Sequence, residues 1–147
     1  MKTAHKTFPH QTKGLFDFIN ATDEIRNFVK ESGIKNGLVN VQIMHTSAAL
    51  MVNEDEPLLL EDMKRNLEAT ASRKLEYQHD DFSIRTVNVC DKEEKNGHSH
   101  CKAIHLLPSV TLNLIDGKLQ LGRWQSIMLV ELDCSRPRKI QVGIIGE

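Results

Sequence analysis

Apolar and polar positions change period several times along the chain, and each change marks an element. Residues 3–8 and 15–19 read as two short strands around a turn at Lys13-Gly14. From Thr22 the period lengthens, with Ile25, Phe28 and Val29 at i, i+3 and i+4 on one buried helix face. Thr22 is its candidate N-cap, Asp23 and Glu24 put acid where the helix dipole favours it, and Gly33 supplies the stop. Residues 38–44 alternate as a strand that ends at His45, and residues 48–52 form the next, ending at Asn53-Glu54. Pro57 suits the first turn of a second helix, where its missing N–H costs nothing, and Leu60, Met63 and Leu67 make that helix's inner stripe.

Residues 70–97 are polar and irregular, a long loop of the kind that often carries function. Beyond them, extended backbone is expected at residues 96–99 and a short helix at residues 100–106. The last third is β structure. Residues 110–115 and 118–121 flank Asp116-Gly117, a two-residue type I′ turn, and residues 124–132 and 138–145 give two more strands joined through Ser135-Arg136-Pro137. This order is α+β rather than a βαβ alternation. The expected architecture is a mostly antiparallel sheet or sandwich with two main helices packed on it. With no repeat or linker, residues 1–147 are read as a single domain.

Composition narrows the class. A chain of 147 residues that is 39% hydrophobic can build a core without disulfides. Its net charge of -1 gives no positive field, so neither nucleic acid nor a membrane surface is an expected partner. No apolar run approaches the roughly 20 residues of a membrane span. The basic start has no apolar stretch behind it, so a signal peptide is not expected. Three cysteines without a Cys-x-x-Cys pair fit reduced thiols in a cytoplasmic protein.

Candidate chemistry centres on histidine, a common metal ligand whose pKa lies near neutrality. In extended backbone His98 and His100 project from one face and can share a metal; on a helix they diverge by about 200° and cannot. Otherwise they are solvated loop histidines. His105 falls opposite His100 and is discounted. His45 closes an apolar strand beside Thr46 and Ser47, whose hydroxyls suit an anion; the alternative is a hydrogen-bonded structural residue. Glu54, in the acidic run Asn53-Glu54-Asp55-Glu56, is a candidate general base or ligand, although carboxylates ahead of a helix also serve as caps. Asp62 lies on the flank of the second helix. In Tyr77-Gln78-His79-Asp80-Asp81 a carboxylate can orient an imidazole. Trp124 plugs a sheet end or meets a ligand beside Gln125. No Gly-x-Ser-x-Gly elbow or Walker loop is present.

Taken in order, His45-Thr46-Ser47-Ala48-Ala49-Leu50, Asn53-Glu54, Asp62-Met63, Tyr77-x-His79-Asp80, Asn96 to Ala103, Pro108-Ser109, Asp116-Gly117-Lys118-Leu119, Gly122-x-Trp124-Gln125 and Pro137-Arg138 resemble the YjbQ-like family over essentially the whole chain. The resemblance implies an α+β homotrimer with a metal-binding cleft near subunit boundaries. It also implies a secondary thiamine-phosphate synthase activity, which joins a hydroxymethylpyrimidine diphosphate to a thiazole phosphate and releases pyrophosphate. On it, Glu54, Asp62 and His79 are the candidate catalytic residues, and Thr46, Ser47, Asn53, Trp124 and Gln125 the candidate substrate contacts. His45, His79, His98 and His100 are the candidate metal ligands. A divalent ion would neutralise the departing diphosphate, Zn first from the imidazoles, Mg or Mn if carboxylates dominate. The expected partner is a small phosphorylated molecule, and the alternative is a non-catalytic metal- or ligand-binding homotrimer. Two positions depart from the family pattern: Leu107 stands where Gly is usual, and His105 where a small or apolar residue is.

Overall fold

A computed structural model describes residues 1–147. The elements are β1 (Lys2–Gln11), β2 (Phe18–Asn20), α1 (Thr22–Ser32), β3 (Gly37–Ile43), β4 (Ala48–Asn53), α2 (Pro57–Thr70), a 3-10 turn (Gln78–Asp80), α3 (Gly97–Ala103), β5 (Ser109–Ile115), β6 (Lys118–Leu119), β7 (Ser126–Glu131) and β8 (Pro137–Gly146). They form two antiparallel sheets, one ordered β1-β8-β3-β5-β6 and the other β2-β7-β4. The α+β expectation holds.

The sheets face each other over one core. The period-2 alternation of β3 and β8 puts Val39, Val41 and Ile43 opposite Ile144, Val142 and Ile140 on the inner face. Across the gap stand Ala48, Leu50, Ile127 and Leu129, and α1 adds Ile25, Phe28 and Val29. The other face of the small sheet buries Ala49, Met51, Met128 and Val130 under Leu67 of α2, with Met63, Ala103 and Leu106 packed alongside. β7 is therefore covered on both faces, which explains why its sequence is a continuous apolar run. No helix is long and apolar enough to cross a membrane.

Several elements differ from the sequence pattern. β1 and β2 do not form a hairpin: β1 pairs with β8 and β2 with β7, so the turn near Gly14 carries the chain from one sheet to the other. Thr22 is the first residue of α1 rather than its cap, and its hydroxyl accepts from the Ile127 amide at 2.9 Å. Gly33 does end α1, in the left-handed region at φ 67°. The cap of α2 is Glu56, whose carboxylate accepts from the Leu58 and Leu59 amides. Trp124 and Gln125 lie outside β7, in a turn where the Gly122 amide donates to Gln125 Oε1 at 2.8 Å. Leu107 has no positive φ and exchanges two backbone hydrogen bonds with Leu50, so the bulkier residue is accommodated.

The largest revision concerns α3. It starts at Gly97, not His100, because Asp80 Oδ1 accepts from the amides of Asn96 (2.9 Å) and Gly97 (2.8 Å) across a long sequence separation. Gly97 sits against Tyr77, where an added Cβ would lie 2.5 Å from the Tyr77 Cβ.

At the open ends of the sheets, Arg138 and Glu131 form a buried ion pair, Nε–Oε2 2.7 Å and Nη2–Oε1 2.6 Å. Glu131 also accepts from the Thr12 hydroxyl and the Leu132 and Asp133 amides, and Arg138 donates to Ser47 Oγ at 3.0 Å. Arg138→Met leaves Glu131 buried without its cation and is expected to cost about 3–5 kcal/mol in urea denaturation. A loss under about 1 kcal/mol, the range of an exposed pair, would remove the ion pair's structural role. Gly97→Ala forces α3 off Tyr77 and is expected to cost about 1–3 kcal/mol by the same measurement.

Candidate functional site

His79 and His100 meet. The 3-10 turn carries His79, α3 carries His100, and the ring centroids lie 4.7 Å apart at 66°. The His79 Nε2 is buried with no hydrogen-bond partner, and the nearest carboxylate oxygen recorded against it, Glu93 Oε1, is 3.9 Å away. That oxygen is already held by Arg85 at 2.7 Å, and Arg85 also donates to the His79 carbonyl. The Arg85 hydrogen bond, followed by the Cys90 amide, holds the Glu93 carboxyl below the usual range.

Burial, and then the charge of His79, hold the His100 imidazole below the ordinary histidine pKa, against a hydrogen bond to the Thr46 backbone and the Asp133 charge. The neutral form of the His100 ring is thus favoured. Asp133 is buried, accepting from Arg136 at 2.9 Å and Asn96 Nδ2 at 3.3 Å, while Asn96 Oδ1 is buried without a partner. Chemically, the pair offers two imidazoles and an unused ring nitrogen, enough for two ligands or a proton relay. No group of three His, Cys, Asp or Glu converges within the protomer to hold a metal.

The remaining candidates are dispersed. His98 does not share a face with His100. The helix turns the two rings about 200° apart, which overturns the extended His-x-His reading. The His98 Nδ1 lies 3.2 Å from the Lys102 ammonium, and burial followed by the Lys102 charge lowers its pKa. His45 turns to β8, its Nε2 accepting from the Lys139 amide at 3.1 Å. Its pKa is lowered by burial and then by Arg138. Ser47 is taken up by Arg138, and Thr46 brings only its backbone to His100. Asn53 and Asp62 line a cavity of about 430 Å³ under α2 with His105. There Asn53 Oδ1 accepts from the Glu54 amide and Asp62 pairs with Arg65. Glu54, Trp124 and Gln125 line another cavity, of about 490 Å³, where the Arg123 guanidinium lies 4.6 Å over the Trp124 ring.

Sequence reasoning missed Glu93, Arg85 and Asp133, and took Lys102 only as one of several scattered cations that could bind phosphate. The i, i+4 spacing of His98 and Lys102 on one helix was a readable signal once the helix was placed. Arg85 and Glu93 sit in an irregular loop whose residue pattern gives no such handle.

The comparisons with known proteins agree with this fold. Residues 6–147 match the family described as UPF0047 protein YjbQ-like. A UPF0047 protein of Methanothermobacter thermautotrophicus is 34% identical over 147 residues, covering 100% of this chain and 95% of its own. The UPF0047 protein YjbQ of Salmonella typhimurium is 35% identical over 131 residues, 86% of each chain. A YbjQ-like protein of unknown function from Sulfolobus solfataricus superposes with a TM-score of 0.87 at 31% identity, covering 99% of both chains. A yjbq/upf0047 family protein from Clostridium acetobutylicum gives 0.82 at 30% identity, covering 95% of this chain and 99% of that one. With a family model matching nearly the whole chain and relatives above 30% identity along most of their length, the chain belongs to the UPF0047 YjbQ-like family.

Proposed function

We propose that the chain is a divalent-metal-binding transferase of small phosphorylated molecules, with thiamine-phosphate synthase chemistry as the reaction to test. The observation that carries this reading is the His79–His100 pair with its buried, unpartnered His79 Nε2. A polar atom withdrawn from water and left without a partner is costly, and a ligand removes that cost. The donor set fits a metal in part: His79 and His100 would be the two ligands from one protomer. A bound ion would supply charge neutralisation for a departing diphosphate. The missing donors come, on this reading, from substrate oxygens or a neighbouring protomer of a homotrimer. Imidazole donors favour Zn; carboxylates brought in by a neighbour would shift the preference towards Mg or Mn. Three free cysteines suit a cytoplasmic setting.

One observation favours the second reading, a non-catalytic metal- or ligand-binding homotrimer. Glu54 and Asp62 line cavities other than the histidine pair within the protomer. Metal content by elemental mass spectrometry, with turnover on the two thiamine precursors, separates the two. The proposal expects bound divalent metal, its loss in His79→Ala and His100→Ala, and a parallel loss of turnover of about a hundredfold or more. Metal lost with turnover intact would overturn the metal-dependent reaction; metal retained with no turnover above background would favour the binding protein.

The lowered histidine pKa values give a pH signature. His45, His98 and His100 all titrate below their unfolded value of about 6.5. Between the two values the unfolded chain binds more protons, so stability is complete above about pH 6.5 and is lost as pH falls through the lowered folded values. Urea midpoints of the metal-free protein are expected to drop over that window, and to drop less in His100→Gln. An unchanged midpoint down to about pH 5 would contradict the burial of these imidazoles in neutral form.

A further inference from the structure

We propose that Lys102 is a positioning residue that fixes His98 as a hydrogen-bond donor and so keeps a metal ion off that ring. The pair follows from helix phase. His98 and Lys102 stand one turn apart on α3, at the i, i+4 spacing that brings side chains together. Lys102 is fully buried, and His98 is 9% exposed and lines a cavity of about 820 Å³ beside the segment 73–82. His100 does not line that cavity and meets His79 instead.

Three acceptors surround the Lys102 ammonium: the Ala71 carbonyl, Glu68 Oε2 at 3.1 Å and His98 Nδ1 at 3.2 Å. The Phe16 ring closes another side at 5.7 Å. An ammonium has three protons and no lone pair, so it can only donate to Nδ1. A proton on that nitrogen would point at the cation, which excludes both the Nδ1–H tautomer and the doubly protonated ring. The neutral ring therefore carries its proton on Nε2. No hydrogen bond within the chain reaches Nε2, so its N–H is left for an acceptor in the cavity.

Ser99 is the competing partner. Its hydroxyl lies 3.4 Å from His98 Nδ1 and gives its proton to the Leu132 carbonyl at 2.6 Å. Only its lone pairs remain for the ring, and these would favour a proton on Nδ1. The contact to Lys102 is shorter and carries a full charge, so it decides the tautomer. The consequence for metal follows from the lone pairs. Zinc on Nε2 needs that nitrogen bare, which moves the proton to Nδ1 and against the ammonium. Zinc on Nδ1 would have to take the place of Lys102. The tautomer does not rest on the metal reading proposed above, but it narrows that reading to His79 and His100.

The test is NMR of protein labelled with ¹⁵N-histidine, free and with zinc, with His98 assigned from the signal lost in His98→Gln. The free protein is expected to show His98 as the Nε2–H tautomer. Zinc is expected to move the His79 and His100 rings while His98 keeps that tautomer. Lys102→Met keeps most of the apolar stem and removes the ammonium, which leaves Ser99 as the partner of Nδ1. The tautomer ratio is then expected to swing towards Nδ1–H by about tenfold or more. A lysine that only held the end of α2 through Ala71 would lower stability on this change and leave the ratio where it was. Should Lys102→Met fail to fold, Ser99→Ala takes its place and is expected to keep the Nε2–H form. Nδ1–H in the free protein, a ratio unmoved in folded Lys102→Met, loss of Nε2–H in Ser99→Ala, or zinc on His98 would each overturn the proposal. Zinc that moves no histidine counts against the metal reading alone, and the Nε2–H spectrum then still supports the role of Lys102.

Discussion

The buried pairing of Glu131 with Arg138 is the constraint on which the rest of this molecule depends. Taking two charges out of water costs several kcal/mol each, and the attraction between them repays that only with good geometry and every remaining donor and acceptor satisfied. Here the guanidinium bonds both carboxylate oxygens, and those oxygens also receive the Thr12 hydroxyl and the Leu132 and Asp133 amides. The four segments involved come from both sheets: the end of β1, the end of β7, the start of β8, and Ser47 just ahead of β4. A hydrophobic core tolerates sliding of one sheet on another; a satisfied ion pair with these fixed directions does not. The pair therefore sets the register between sheets that the core merely holds together.

From that hub the candidate site follows by short steps. Glu131 fixes the turn after β7 through the Leu132 and Asp133 amides. The Leu132 carbonyl then receives the Ser99 hydroxyl, which docks α3, and Asp133 takes Asn96 and Arg136. On the other side Arg138 holds Ser47, so that the preceding Thr46 backbone reaches His100. The His79 side is anchored separately, by Asp80 on the first amides of α3 and by Arg85 on the His79 carbonyl. The histidine pair thus sits between a rigid sheet corner and a polar loop.

Strands and main helices were legible in the sequence because their burial is periodic. The alternation in β3 and β8, the stripe on α1 and the Asp116-Gly117 turn, with φ of 50° and 73°, all came through. What did not come through depends on distant partners. The start of α3 is set by Asp80, so local pattern placed it three residues late, and that error alone turned His98 and His100 into a false pair. Likewise nothing local distinguishes Glu131 or Arg138 from surface charges; only pairing across the sheets buries them. The histidines themselves stood out by type, but which of them would meet was decided by helix phase.

Helix phase also bears on what the site can do. Had residues 96–100 been extended, one pocket would have held both imidazoles and a metal would have had two adjacent ligands from one segment. In the helix, His100 is left to pair with His79, whereas His98 is clamped from behind by a lysine that has no freedom of its own. A ring whose Nδ1 is occupied by an ammonium can take part only through Nε2, and a metal there would need that nitrogen deprotonated and thus the lysine displaced. His98 is consequently built as a donor, while the His79 Nε2 is buried without a partner. The buried His79 Nε2, without a partner in the protomer, is the open position that this helix phase leaves beside His100.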